Sequence, residues 1–330
     1  MKLAVLDQSA ATVGRPHEET IQDTIALAHD CEAMGYHRYW LAEHHNSPAN
    51  VGPAPEILAA AIAATTSRIR VGSAGVLLSH YAPLKVAEQF RVLSAIAPGR
   101  VDLGLGRSPG GNAATQAMLN GNAAIKPFDV LVEELLGWLE PEPSSDPQAV
   151  QAYPRTLNLP EVWTLGSSLR GANLAARLGL PFCFNYSHGS NHHLVGDAIS
   201  AYRREFCPSW RLSSPLVSLS VWVLAAPNDQ EARHLFASRA YWRVMLDRGF
   251  RVPMYPPEEA LAEPVSVEEK ARISQTLQYS IVGSDTAVAQ RLRSIAVEFG
   301  ADELVLGTWT HAPEARRWSY AALARRLLVG

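Results

Sequence analysis

The sequence predicts a (β/α)8 TIM barrel spanning residues 1–330 as one domain, with an insertion between the seventh and eighth strands. Three observations carry this. Short runs rich in Val, Leu and Ile alternate with stretches of helical period along the whole chain. The runs cover residues 3–6, 39–42, 69–73, 101–105, 162–165, 182–184, 217–224 and 304–306, and most are apolar on both faces, as parallel strands covered by helices must be. Polar residues, glycines and aromatics then collect just beyond the C-terminal ends of these runs, the end of a barrel that carries function. A doubly wound open sheet is the main alternative.

The helices between the runs have readable ends. Ile21, Ile25, Ala28 and Cys31 form the apolar face of the first, and Gly35 stops it. Pro55, with Glu56 beside it, suits the first turn of the second. Pro83 opens the third, Val86, Phe90, Leu93 and Ala97 line it, and Pro98-Gly99 ends it. Val195, Ile199, Tyr202 and Phe206 give a helical face after the sixth strand. Ser284 is an N-cap candidate ahead of Val288, Leu292, Ile295 and Phe299, with Gly300 beyond. Residues 141–160, rich in Pro, Ser and Asp, read as a loop. Residues 248–267 carry four prolines and form a long excursion, either a lid or a plain surface loop.

Composition narrows the function classes. A chain of 330 residues buries a core large enough to need no disulfide or metal staple. Lys+Arg is 29 against Asp+Glu 32, a net charge of −3, which argues against a nucleic-acid partner. Cys31, Cys183 and Cys207 are scattered, with no CxxC pair. No run approaches the roughly 20 apolar residues of a membrane span, and the N-terminal apolar stretch is too short for a signal peptide. A cytoplasmic protein without a membrane partner is expected.

Several strand ends hold residues capable of chemistry. Glu43-His44-His45 follows the second run: a histidine near neutral pKa beside a carboxylate suits acid–base work, though a surface cap pair reads the same way. Gly104-x-Gly106-Arg107 lets backbone approach a ligand and sets a guanidinium beside it. Gly166-Ser167-Ser168 opens a helix, offering N–H groups and hydroxyls to an anion or simply an N-cap. His188, His192 and His193 invite a metal, but the first strand lacks His-x-His and no acidic ligand follows the eighth, so no metal is expected. No GxSxG, GxxxxGK[ST] or HExxH motif occurs.

Together these segments carry a resemblance. Leu41-Ala42-Glu43-His44-His45, Arg70-Val71-Gly72-Ser73-Ala74-Gly75-Val76, Ala82-Pro83-Leu84-Lys85-Val86-Ala87-Glu88 and Pro98-Gly99-Arg100-Val101-Asp102-Leu103-Gly104-Leu105-Gly106-Arg107 resemble the bacterial luciferase-like flavin monooxygenases. Trp163-Thr164-Leu165-Gly166-Ser167-Ser168, Ala175-Ala176-Arg177-Leu178-Gly179-Leu180-Pro181 and Ser280-Ile281-Val282-Gly283-Ser284 extend the match in order along nearly the whole chain.

The resemblance implies a barrel that uses reduced FMN and O2, through a flavin 4a-hydroperoxide, to oxygenate an aldehyde, ketone or aromatic. It makes His44 the catalytic histidine. It assigns the cofactor to Glu43, Ala74, Gly75, Gly106, Arg107, Gly166, Ser167 and Ser168, with a non-prolyl cis peptide at Ala74-Gly75 and phosphate contacts from Arg107 and Ser168. Gln8, His45, His80, Tyr186, Trp222 and Trp309 are the expected substrate pocket, suited to a hydrophobic small molecule.

Departures from the family pattern include Gly106 where luciferase carries a reactive Cys, Gly171 in the phosphate turn, and Ser9-Ala10 in place of Ser-Pro. The first argues against light emission. With no GxGxxG fingerprint after a strand, a separate NAD(P)H:flavin reductase is expected to supply the reduced FMN, and the resemblance implies a homodimer. Two alternatives are a deazaflavin-dependent hydride-transfer enzyme and a non-catalytic flavin-binding relative on the same barrel.

Overall fold

The structure is a computed structural model; it describes residues 1–108, 110–120, 126–142, 145–146, 148–187 and 189–328. Its strands are β1 (Lys2–Asp7), β2 (Arg38–Leu41), β3 (Arg70–Leu77), β4 (Val101–Gly106), β5 (Glu161–Gly166), β6 (Phe182–Asn185), β7 (Val217–Ala226), β8 (Ile281–Ser284) and β9 (Glu303–Gly307). The pairings run β1 to β7 in sequence order, then β7 to β9 and β9 to β1, all parallel, closing an eight-stranded barrel. The seven strand-run predictions from residue 3 to 224 and the run at 304–306 fall on these barrel strands.

β8 was not expected as a strand. It pairs outside the closed ring, with the distal half of β7, in register Val223↔Ile281 to Ala226↔Ser284. β7 is ten residues long and overshoots its neighbours, so its last backbone groups need another partner, and β8 satisfies them.

Twelve helices surround the strands among the described residues: α1 (His17–Ala33), α2 (Pro55–Thr65), α3 (Pro83–Ile96), α4 (Ala113–Asn120), α5 (Phe128–Trp138), α6 (Leu169–Leu178), α7 (Val195–Arg204), α8 (Asp229–Asp247), α9 (Pro257–Ala262), α10 (Val267–Gln278), α11 (Asp285–Phe299) and α12 (Pro313–Leu327). Pro55 and Pro83 open α2 and α3, where a missing N–H costs nothing. Gly300 ends α11 at φ 60°, a left-handed turn that glycine adopts without strain. Ser284 stands at the start of α11, but its side chain makes no capping bond. Asp229 holds the Ser284 backbone N–H instead, at 2.6 Å.

The core between strands and helices is one large apolar cluster, with Leu3, Val5, Leu103, Leu105, Leu219, Val221, Leu304 and Leu306 facing outward from the barrel. The interior is different. Trp40 and Trp163 cross at 5.1 Å with Ala4, Cys183 and Val305 around them. Beneath them, at the N-terminal ends of the strands, sits a buried charged layer that the apolar reading of the strands did not anticipate. Arg38 binds Glu303 through Nε at 2.8 Å and Asp102 through Nη1 at 2.9 Å, and it reaches Glu161 at 3.0 Å. Arg70 and the Trp40 indole also hold Asp102. Arg38, Asp102 and Glu303 are buried but paired with one another, the condition for tolerating charge in a core, while Arg70 and Glu161 are partly exposed.

Between β3 and β4 the register slips from Ser73 to Val76, where Ala74-Gly75 is a non-prolyl cis peptide. A Cβ on Gly75 would stand 2.7 Å from the Gly104 carbonyl oxygen, so only glycine permits this approach of the two strands.

The 248–267 excursion is not a free lid. It contains α9, and Met254 is clamped to the segment after β1: its N–H donates to the Ala11 carbonyl at 2.9 Å, and its carbonyl accepts from Val13 at 2.8 Å. Among the described residues no helix is long and apolar enough to cross a membrane.

Candidate active site

The main cavity opens at the C-terminal ends of the barrel strands and measures about 1060 Å³. Strand alternation explains part of its walls, since residues two steps beyond an inward-facing one point inward again, while the consecutive lining residues come from the turns at the strand ends and from the register slip in β3. Leu6 and Gln8 come from the end of β1, Ala42, Glu43 and His44 from beyond β2, and Ala74, Gly75 and Leu77 from β3. Gly106 and Arg107 arrive from β4, and Gly166, Ser167 and Ser168 from β5. His44, every residue assigned to the cofactor from the sequence, and Gln8 therefore surround one space.

One end of the cavity is bordered by a helix N-terminus and arginine side chains. The α6 helix begins there, and Ser168 caps it, its Oγ accepting the Gly171 N–H at 3.3 Å. The N-cap reading of this turn holds, and residues 166–168 with the first turn of α6 line the cavity. Ser167 Oγ accepts a bond from Asn191 at 3.1 Å. A Cβ on Gly166 would meet nothing within 4 Å, so the turn leaves open space. Arg107 is exposed and makes no ion pair among the described residues, and Arg170, paired with Asp129 at 3.5 Å, joins it from the first turn of α6.

Glu43 is buried and fully engaged by protein donors. The Leu77 N–H donates to Oε2 at 2.9 Å, and Tyr81 and His45 both reach Oε1 at 2.7 Å. Its carboxylate ties the turn after β2 to the end of β3, fixing the backbone that carries His44. Burial and the bond to Glu43 push the Tyr81 hydroxyl well above its ordinary pKa, so it remains a donor.

His44 differs from both neighbours. Its Nδ1 is shielded from solvent and has no hydrogen-bond partner among the described residues. Burial, with the charges of Arg251 and His45 adding to it, pushes the imidazole down to about 4, so it is neutral at pH 7 and able to accept or relay a proton.

Five residues expected in the substrate pocket lie outside these walls. His45 turns its ring to Glu43, and the His80 ring packs edge-on against His45. Tyr186 is buried against His192 and Phe299, away from the cavity, because β6 ends at Asn185 and the chain turns back there. Trp222 and Trp309 pack on each other at 5.3 Å, Trp309 also on Trp242 at 4.7 Å. His188, raised as a metal candidate, lies outside the described residues.

Asn185, a polar residue at the end of the sixth strand, lines the cavity as the strand-end reading suggests, whereas Thr164, Cys183, Asn191 and Ser220, which also line it, were not singled out as site residues. Strand alternation from Gly166 back to Thr164 and from Trp222 back to Ser220 was the signal available for two of them. Asn191 lies in a short helical turn, Gly189–Leu194, that no period reveals.

Comparison with known proteins agrees with this geometry. Residues 1–303 match the model of the luciferase-like monooxygenases. The chain belongs to that family. A family relative, the N-acetyl-S-alkylcysteine monooxygenase of Bacillus subtilis (strain 168), is 34% identical over 333 residues, covering 100% of this chain and 99% of that protein. The solved structure of apo-MsnO8 superposes with a TM-score of 0.91 at 35% identity, covering 100% of this chain and 99% of that one. The oxygenating constituent of 3,6-diketocamphane monooxygenase from Pseudomonas putida, solved with FMN, shares the fold at a TM-score of 0.71 and 20% identity, covering 99% of this chain and 98% of that one. The family places the chain among the oxygen-incorporating flavin enzymes.

Proposed function

We propose that this protein binds reduced FMN in the main cavity and uses it with O2 to oxygenate a small hydrophobic molecule. The observation that carries the reading is one cavity joining a capped helix N-terminus to a neutral histidine whose Nδ1 is unpaired among the described residues. The residues fit the cofactor. The α6 N-terminus, the Ser167 and Ser168 hydroxyls and Arg107 would hold its phosphate, and the flat backbone at Ala74-Gly75, with Leu6 and Leu165, would border the ring. Reduced FMN, when bound, would supply the two electrons that let one oxygen atom enter the substrate while the other leaves as water.

His44 would hold or move a proton beside the reacting oxygen, and its Nδ1 has no competing partner. Glu43 would act through the backbone it anchors rather than by touching the cofactor with a free oxygen. A separate reductase would supply the reduced cofactor, since the chain has no nicotinamide fingerprint. The homodimer implied by the family resemblance is part of the same proposal.

The reading is tested by anaerobic titration with reduced FMN followed by rapid mixing with O2 and candidate substrates. Saturable binding and an oxygenated product are expected. Binding only to a reduced deazaflavin, with hydride transfer and no oxygen incorporation, would replace the reading with its alternative. Arg107→Ala should weaken FMN by about tenfold or more, the usual loss for a charge-assisted phosphate bond, and leave riboflavin nearly unchanged. Equal loss for both ligands in equilibrium titrations would remove Arg107 from the phosphate.

A further inference from the structure

Two adjacent serines line the cavity where α6 begins, and the oxygen of each is engaged by a protein N–H. Ser168 Oγ accepts the Gly171 N–H at 3.3 Å, and Ser167 Oγ accepts from Asn191 Nδ2 at 3.1 Å. A serine hydroxyl has one hydrogen to donate and two lone pairs. An N–H placed on the oxygen occupies a lone pair and turns the hydrogen elsewhere. Neither hydroxyl finds an acceptor for that hydrogen among the described residues. Both serines therefore keep an unused donor at the cavity wall.

The two bonds differ in origin. The one to Ser168 is local, made within the helix that the serine caps. The one to Ser167 comes from 24 positions away, out of the short turn Gly189–Leu194 that leads into α7. Asn191 lines the cavity too, so the amide and the hydroxyl it holds belong to one space.

That turn is pinned through the next side chain. The His192 ring packs on Tyr186 at 4.3 Å and on Tyr279 at 5.3 Å. Tyr186 is buried just beyond β6, and its hydroxyl accepts from Arg291 of α11 at 3.4 Å. Tyr279 closes α10, in the insertion. His192, a metal candidate in the sequence, thus serves here as a packed ring between two tyrosines, and Asn191 is delivered from a turn fixed on both sides.

We propose that Asn191 is a positioning residue for the cofactor phosphate: its amide occupies a lone pair of the Ser167 oxygen and leaves the hydroxyl hydrogen for the phosphate. The role rests on the FMN reading. It goes further by making the segment after β6 responsible for part of the preference for a phosphorylated flavin over an unphosphorylated one. A freely turning hydroxyl loses that freedom when a ligand binds, whereas one already held by an amide has little left to lose. The gain is realised on a phosphate, because bonds to a charged acceptor are the stronger ones.

The test is a double-mutant cycle in the full-length protein, titrated anaerobically with reduced FMN and with reduced riboflavin and followed by tryptophan fluorescence. Asn191→Ala should weaken FMN about three- to tenfold, the loss of one ordinary hydrogen bond, and leave riboflavin nearly unchanged. Ser167→Ala should weaken FMN about tenfold or more, since the lost bond is charge-assisted. In the Ser167→Ala background, Asn191→Ala should add no further loss, because the amide acts through the hydroxyl. Asn191→Asp keeps the shape but accepts the Ser167 hydrogen instead of supplying one, so it should weaken FMN more than Asn191→Ala does. Additive losses in the double variant, an equal loss for riboflavin, or FMN binding left unchanged by either Asn191 variant would overturn the positioning role and leave the FMN reading in place. A wild-type protein that binds reduced FMN no tighter than reduced riboflavin would remove the phosphate assignment, and this role with it.

Discussion

His44→Ala should lose about 10²–10⁴ in the rate of substrate oxygenation, the range associated with a positioned general acid–base group, while binding reduced FMN as the wild type does. The physical basis is the isolation of this side chain. Glu43 and Tyr81 are locked together, whereas His44 faces the cavity with Nδ1 unpaired. Truncating it opens space without stranding a partner, so the fold should tolerate the change.

The pH profile checks the same assignment. The folded imidazole is held down to about 4, so the neutral form persists as pH falls through the ordinary histidine range. The acid limb of kcat/KM should accordingly lie near 4, and the His44→Ala protein should lack it. Single-turnover product formation measures the loss; a variant turning over at the wild-type rate would take His44 out of the mechanism.

Arg38→Met should destabilise the protein by about 3–5 kcal/mol, because it strands buried carboxylates that no water reaches. Asp102 and Glu303 are fully buried and share this guanidinium, whose face also lies 4.7 Å from the Trp163 ring. Burial alone would raise the Asp102 carboxyl, but Arg38 and Arg70 outweigh it and hold the group below the ordinary carboxylate range. A carboxylate depressed in the folded chain stabilises above its unfolded pKa and loses that contribution as pH falls through its folded value. Urea unfolding at neutral pH should therefore show the full deficit of the variant, shrinking toward acid pH. Arg38→Lys should recover little, since one ammonium cannot serve Glu303 through two nitrogens and Asp102 through a third. A midpoint unchanged at neutral pH would mean the layer contributes nothing net.

The barrel strands were legible because each is a short apolar run with its own helix following. The capped helix start at the cavity was legible for a related reason: Gly166-Ser167-Ser168 and α6 are contiguous, so the cap and the helix N-terminus come from one local segment. The ionic floor was not legible. Arg38 and Glu303 are 265 positions apart, and each looks like an ordinary polar residue at a strand start. β8 was missed because four residues ending in Gly-Ser give too little pattern, and its pairing depends on how far β7 overshoots. His45 and Tyr186 stand beside cavity residues in the chain but turn away from them in space, His45 to Glu43 and Tyr186 to Phe299.

By itself, the sequence determined the alternation of strand and helix, the mouth of the barrel as the functional end, and the segments that meet there. Those properties follow from local period and from residues adjacent in the chain. Only the tertiary structure decided that Glu43 is an anchor, that His44 is left unpaired, and that Asn191 reaches Ser167. Partnership between side chains distant in sequence depends on barrel closure and on the path of the connecting segments, and neither is written in the spacing of any one segment.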